Sequence, residues 1–328
     1  MSETRSMLAR RIVLAAATLL WPLAARAQPA WPDRPIRWIV NFPPGGAADT
    51  LSRILVERIG SRLGQPVVME NRPGAGGMVG SDIVAKARGD AHVVMISSAA
   101  SHGIGPVLYP NPPYDPLGDF THIALIGTFA SVLAVNPNFP ARTLAEFVTA
   151  ARARPGQVSY GSGGNGTMNH LVGALFARAA GIEIQHVPYR GSAPALTDVT
   201  GGQIPAIMES LPIALPHLRA GRLRPIATSE GTRAAALPDV PTFAESGFPA
   251  AQSTNWFGFS AAAGIPAAVA ERWRDEVTTA LGSDMVRERF AQIGVVPGAM
   301  GPADYTALIR GELDHWRELI RSAGIRPD

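Results

Sequence analysis

The stretch Ile36-Arg37-Trp38-Ile39-Val40-Asn41-Phe42-Pro43-Pro44-Gly45-Gly46-Ala47-Ala48-Asp49 decides the reading of the fold. Ile36 to Val40 is a short apolar run of the kind that builds a strand. Two prolines and two glycines then break it. From Asp49 to Leu63, the residues Leu51, Ile54, Leu55 and Ile59 recur at helical spacing. Asp49 suits the first turn through the helix macrodipole, and Gly64 suits the stop. The unit is strand, glycine loop, helix.

Outward from this unit the same grammar repeats. Pro66 to Glu70 reads as a strand, Asn71 to Gly77 as a loop, Val79 to Ala87 as a helix, and His92 to Ser97 as a third strand ending in Ser97-Ser98-Ala99-Ala100-Ser101. Strands alternating with helices predict an open, mostly parallel sheet. A second unit starts near Val132-Leu133-Ala134-Val135. Thr143 and Glu146 form a capping box ahead of a helix striped by Leu144, Phe147, Val148 and Ala151. Val158 to Tyr160 is a short strand that runs into a glycine-rich loop and a helix through Ala180. Ile184 to Val187, a helix from Ala193 to Thr200, and Ile204 to Met208 follow.

Asn255 to Phe259 then brings the chain back as an aromatic strand. Two amphipathic helices, Ala267 to Leu281 and Pro302 to Ala323, need a sheet to cover, and the first sheet is the natural host. The expectation is an α/β protein of two lobes with two crossings: 28–131 with 255–328, and 132–254.

The first 27 residues stand apart. Arg5, Arg10 and Arg11 precede the apolar run Ile12 to Leu23, and Ala25-Arg26-Ala27 offers small residues at a cleavage site. This is the pattern of a secretory signal, by the Sec or the twin-arginine route. The apolar run is shorter than the roughly 20 residues a bilayer span needs. The whole chain carries 29 basic and 26 acidic side chains. The segment 1–27 holds four arginines and one glutamate, so the remainder has 25 of each and no net charge. That balance argues against a nucleic-acid footprint, which needs clustered surplus positive charge. With no cysteine in the chain, disulfides and thiolate chemistry are excluded.

The recurring strand–glycine loop–helix unit also bears on function. Helix N-termini leave N–H groups unpaired and carry partial positive charge, and glycines let the backbone approach a ligand. Such loops in both halves predict an anion site in a shared cleft beyond the carboxyl ends of the strands. Enzyme signatures are weak. Gly161, Gly163 and Gly166 match G-x-G-x-x-G formally, but an exported chain rarely meets a dinucleotide. Ser162 lies among glycines, yet Tyr160 stands where a nucleophile elbow needs glycine. The seven histidines show no metal-binding spacing. No cofactor, metal or catalytic residue is therefore expected, and His170 is the histidine nearest a glycine loop.

Several segments resemble the Bug family, the TctC-like extracytoplasmic receptors of tripartite tricarboxylate transporters. They are Trp31-Pro32-Asp33-Arg34-Pro35-Ile36, Phe42-Pro43-Pro44-Gly45-Gly46, Glu70-Asn71-Arg72-Pro73-Gly74-Ala75-Gly76-Gly77, Pro113-Tyr114-Asp115-Pro116, Gly164-Asn165-Gly166-Thr167, His186-Val187-Pro188-Tyr189-Arg190-Gly191, Leu237-Pro238-Asp239-Val240-Pro241-Thr242 and Trp256-Phe257-Gly258. The resemblance implies a type II periplasmic-binding-protein, or Venus flytrap, fold. It implies a small carboxylate ligand held by main-chain and water-mediated hydrogen bonds, with membrane permease subunits or a sensor protein as partners of a periplasmic monomer. Carried over to this sequence, Phe42, Gly46, Ala47, Asp49, Ser97 and Ser98 would line one lobe. Ser162, Asn165, Thr167, Arg190, Gly191 and Glu209 would line the other. The sequence departs from the family pattern at Asn41, Met168-Asn169, Pro205 and Glu209-Ser210, so the ligand's identity does not transfer.

Overall fold

The computed structural model describes residues 31–323. The segment read as an export signal lies outside them.

The first sheet grows from β1 (Ile36–Val40), where Ile36, Trp38, Ile39 and Val40 are all fully buried. A strand covered on both faces reads as a continuous apolar run, not an alternating one. Helix α1 (Ala47–Leu63) follows, then β2 (Val67–Asn71), α2 (Met78–Ala85) and β3 (Val93–Ser98). β1 lies between β2 and β3 and is parallel to both. Trp38 Nε1 donates to Ser52 Oγ at 3.1 Å, pinning α1 to its own strand. After β3 the chain makes a wide π-helical stretch, Ala99–Ile104, that runs into the short helix α3 (Gly105–Leu108). β4 (Phe120–Phe129) then completes the outgoing half.

The second sheet holds β5 (Ser131–Val135), β6 (Val158–Ser162), β7 (Ile184–Pro188), β8 (Ala206–Ser210) and β9 (Arg224–Thr228), in the order β7-β6-β8-β5-β9. Its helices are α4 (Leu144–Ala153), α5 (Met168–Ala180), α6 (Ser192–Thr200) and α7 (Leu211–Arg219). β6 runs parallel to β7 and β8, whereas β5 is antiparallel to β8 and β9. Thr143 caps α4 by accepting from the Glu146 N–H. The Glu146 carboxylate reaches back to the N–H of Arg142, one residue earlier than the standard box.

The chain returns to the first sheet as β10 (Asn255–Ala262), which inserts between β3 and β4 and runs antiparallel to both. Helices α8 (Ala267–Gly282) and α9 (Asp284–Gln292), the edge strand β11 (Val296–Pro297) and α10 (Pro302–Ala323) follow. Trp273 of α8 packs on Phe259 of β10 at 4.9 Å, and Phe259 packs on Trp38 at 4.8 Å. Each such pair adds about 0.5–1.5 kcal/mol beyond its area burial.

The mostly parallel sheet expected from the sequence is corrected to a mixed one, ordered β11-β4-β10-β3-β1-β2. The cause is the return: a strand entering from the far lobe between β3 and β4 must run against them. The expected strand at Ile204 to Met208 also moves, to Ala206–Ser210. Ile204 packs instead as a loop residue against Val199 and Ile207.

The two lobes meet at paired crossings, one at Ala130-Ser131 and one between β9 and β10. Serines stitch them together. The Ser131 N–H donates to Ser229 Oγ at 3.0 Å, and the Ser229 N–H donates to the Ser131 carbonyl at 2.9 Å. Ser229 Oγ donates to the Ser253 carbonyl at 2.8 Å, and the Ser253 N–H returns to the Ser229 carbonyl at 2.7 Å. Helix α10 braces both lobes. Its Tyr305, Ile309 and Trp316 belong to a core that continues into Phe147 and Phe176 of the second lobe, and Arg178 of α5 donates to the Ser322 carbonyl.

Candidate functional site

The carboxyl ends of β1, β3, β6 and β8 and the amino end of β10 face one cleft, and polar clamps fix several of the loops there. In the β1–α1 loop, Asp49 accepts from the Gly45 N–H at 3.1 Å and from Arg53 Nε at 2.9 Å. Asn71 Nδ2 bridges the Phe42 carbonyl at 3.0 Å and Asp49 at 3.1 Å. Burial opposes ionisation of Asp49, but Arg53, Gly45 and Asn71 outweigh it and hold its pKa below the ordinary value. α1 therefore opens without a side-chain cap at Gly46, which leaves first-turn N–H groups for the cleft.

The other loops follow the same logic. Ser98 Oγ accepts from the Ser101 N–H at 3.1 Å and starts the π-helical stretch. Thr167 caps α5: its hydroxyl accepts from the His170 N–H at 3.3 Å and donates to the Gly164 carbonyl at 2.7 Å. Gly191, at φ +111°, opens α6 without a side-chain cap, a conformation that favours glycine. At the end of β8, Glu209 is 1% exposed.

The cleft is closed. A Cβ on Gly191 would stand 3.0 Å from Cγ of Pro43, and one on Gly76 would stand 3.0 Å from the Gly166 carbonyl oxygen. Opposite lobes thus meet at both lips, glycine against a proline ring at one and backbone against backbone at the other. Inside them is a chamber of about 60 Å³. Phe42, Gly46, Ala47 and Ser98 reach it from the first lobe, and Thr167, Gly191 and Glu209 from the second. Outside the lips, a larger chamber of about 610 Å³ is lined in part by Asn165 and the exposed Arg190.

Three of the residues named from the sequence line neither chamber. Asp49 is the clamp described above. Ser97 Oγ is held by Ser260 Oγ at 2.9 Å and Tyr305 Oη at 2.7 Å. Ser162 Oγ meets His186 Nε2 at 2.7 Å and accepts from the Gly164 N–H at 3.2 Å. The Ser162–His186 pair has the separation of a nucleophile and its base, and Ser162 is fully buried and lines neither chamber. His170 stacks on His186 at 4.2 Å. Burial, reinforced by His170, pushes the His186 pKa down to about 3. Among the described residues no cluster of three His, Cys, Asp or Glu could hold a metal ion.

Four polar residues of the inner chamber were absent from the sequence-based site: Asn169, Ser192, Ser210 and Asn255. Each follows directly on a recognised signal. Asn169 is in the first turn after the Thr167 cap, Ser192 follows Gly191, Ser210 ends β8, and Asn255 begins β10. A rule that took the first helical turn along with its loop would have found two of them.

Glu209 dominates the electrostatics of the chamber. Its Oε1 accepts from the Ser210 N–H at 2.7 Å and from Asn169 Nδ2 at 3.1 Å. Its Oε2 is buried without a hydrogen-bond partner. Burial raises its pKa, against the opposing effect of the Ser210 N–H, the Ser192 and Ser210 hydroxyls and the Asn169 amide.

Residues 51–325 match the model of the tripartite tricarboxylate transporter family receptor. A UPF0065 protein from the tcbD-tcbE intergenic region of Pseudomonas sp. strain P51 is 37% identical over 314 residues, covering 95% of this chain and 93% of the relative. A solved structure described as a periplasmic transporter superposes with a TM-score of 0.88 at 38% identity, over 91% of this chain and 100% of that one. The structure of Rpa4515 from R. palustris with adipate gives 0.87 at 33% identity, over 91% and 100% of the two chains. The two α/β lobes with mixed sheets match the type II periplasmic-binding-protein fold.

Proposed function

The chain belongs to the tripartite tricarboxylate transporter receptor family, and from that premise we propose that it is a periplasmic receptor that captures a small carboxylate between its lobes and delivers it unchanged to a membrane permease. The observation that carries this reading is the closed inner chamber, faced from both lobes by helix starts that lack side-chain caps. The unpaired N–H groups and partial positive charge of such starts are what a carboxylate needs. The adipate described with Rpa4515 supports the same ligand class.

In this reading 1–27 is removed on export. The lobes 28–131 with 255–328 and 132–254 rock about the serine-stitched crossings. Ligand shifts the population towards the closed form only by binding it better than the open one. Arg190, exposed at the outer chamber, gathers anions without holding them, since an exposed charge chiefly affects association.

The test is calorimetry on protein recovered from the periplasm with Gln28 as its first residue, titrated with C4–C6 dicarboxylates, amino acids and aromatic acids. Saturable one-to-one binding, a thermal shift that grows with ligand concentration, and full recovery of unaltered ligand are expected. Conversion of the bound acid, or no binding across all three classes, contradicts the reading.

A further inference from the structure

The inner chamber has a single ionisable wall residue, Glu209, and its geometry specifies what must face it. Oε1 is committed to the Ser210 N–H and the Asn169 amide. The Asn169 amide is held between Glu209 Oε1, to which its NH2 donates, and Ser131 Oγ, from which its Oδ1 accepts at 2.7 Å. Ser131 is itself held by Ser229 at the lobe crossing. The carboxyl group is therefore clamped on Oε1, while Oε2 is buried at 1% residue exposure with no hydrogen bond of good geometry, and only the nearby Ser192 and Ser210 hydroxyls favour the group's charged form from the side. A buried carboxylate oxygen without a donor is among the costliest arrangements in a protein interior.

The remainder of the wall has the opposite sense. Ala47 and Ala48 stand in the uncapped first turn of α1, and Ser192 in that of α6. Asn255 Oδ1 accepts from the Trp256 N–H, which leaves its amide nitrogen as a donor. One chamber thus offers donors to an anion and a rigid acceptor to a cation. A ligand with carboxylates at both ends would set a second negative charge against the buried Glu209.

We propose that the ligand is a small zwitterion, a carboxylate joined to a protonated nitrogen, whose nitrogen donates to Glu209 Oε2 while its carboxylate meets the start of α1. This narrows the carboxylate-receptor reading and rests on it. Burial drives Glu209 towards its neutral form, and a cation at Oε2 drives it back. Binding is therefore accompanied by proton release or by none, never by uptake.

The experiment compares five amino acids with the acids that lack the amine, by calorimetry at pH 7: glycine with acetate, alanine with propionate, aspartate with succinate, glutamate with glutarate, and 4-aminobutyrate with butyrate. The amine-bearing member of the best pair should bind roughly ten- to a hundredfold tighter, the range for a hydrogen bond to a charged group. Glu209→Gln, with its fold checked by thermal melting, should abolish or reverse that preference. If a plain acid binds as tightly as its amine partner, or with proton uptake seen as a buffer-dependent heat, the zwitterion proposal fails and the carboxylate receptor stands. If no member of any pair binds while a larger dicarboxylate or an aromatic acid does, the proposal fails in the same way. Retention of the amine preference in a folded Glu209→Gln variant also overturns it.

Discussion

His186 shows how a residue beside the site is tuned for silence. It meets Ser162 through Nε2 and stacks on His170, and its pKa falls to about 3 through burial and the neighbouring imidazole. His122, buried on β4, falls to about 4 for the first of these reasons. In the unfolded chain both take a proton near pH 6.5. Between that pH and the folded values the unfolded state binds more protons, so stability is lost as pH falls through this window. The drop in melting temperature from pH 7 to pH 5 should be smaller in His186→Gln than in the parent, by on the order of 2 °C. Equal drops in the two proteins would show that His186 does not carry the acid sensitivity. Residues of this kind are hard to read in a sequence. Glu209 was named from the sequence only through the family resemblance, and it lies within β8 on the wall of the inner chamber. Asp49 was legible as polar and important, but nothing in its spacing told a clamp from a ligand contact. That distinction depends on Asn71 and Arg53 arriving from other turns.

At the level of elements, the glycine loops were visible and several of the elements between them were not. β1 to β3 and α5 stood out because each is bounded by glycine or proline. β4 passed unseen although it is the longest strand, ten residues. It is buried on both faces, so it has no alternation, and His122, Thr121 and Gly127 dilute its apolar run. α7 was hidden by Pro212 and Pro216, which argue against a helix when read singly. The glycines at the lips do more than turn the chain. Gly76 sits at φ +61°, and a Cβ there would stand 3.0 Å from the Gly166 carbonyl of the opposite lobe. Gly76→Ala should cost about 1 kcal/mol of stability in the ligand-free protein through its left-handed conformation. In the receptor reading the contact with Gly166 forms on closure, so ligand affinity should fall about five- to tenfold in addition, roughly 1–1.4 kcal/mol. Calorimetry on the variant checks this, and an unchanged dissociation constant would remove the lips from the account of closure.

At the scale of the whole molecule, residues 34–323 are two lobes in topology and one body in packing. Tyr305, Ile309 and Trp316 of α10 share a continuous core with Phe147 and Phe176, and the crossings are cross-linked by Ser131, Ser229 and Ser253. The lobes should therefore unfold together. Scanning calorimetry on the ligand-free protein is expected to give one transition whose calorimetric and van't Hoff enthalpies agree, and two resolved transitions would mean that the shared core is energetically weak. The lips themselves are made of Pro43, Gly76, Gly166 and Gly191, none of which carries a polar side chain. The polar groups of the inner chamber, Glu209, Asn169 and Asn255, take no part in these lip contacts. In the receptor reading, shutting the cleft and choosing its contents thus fall to different residues. A lineage, or an engineer building a reagentless sensor, can exchange the chamber's chemistry and inherit the motion that reports on it.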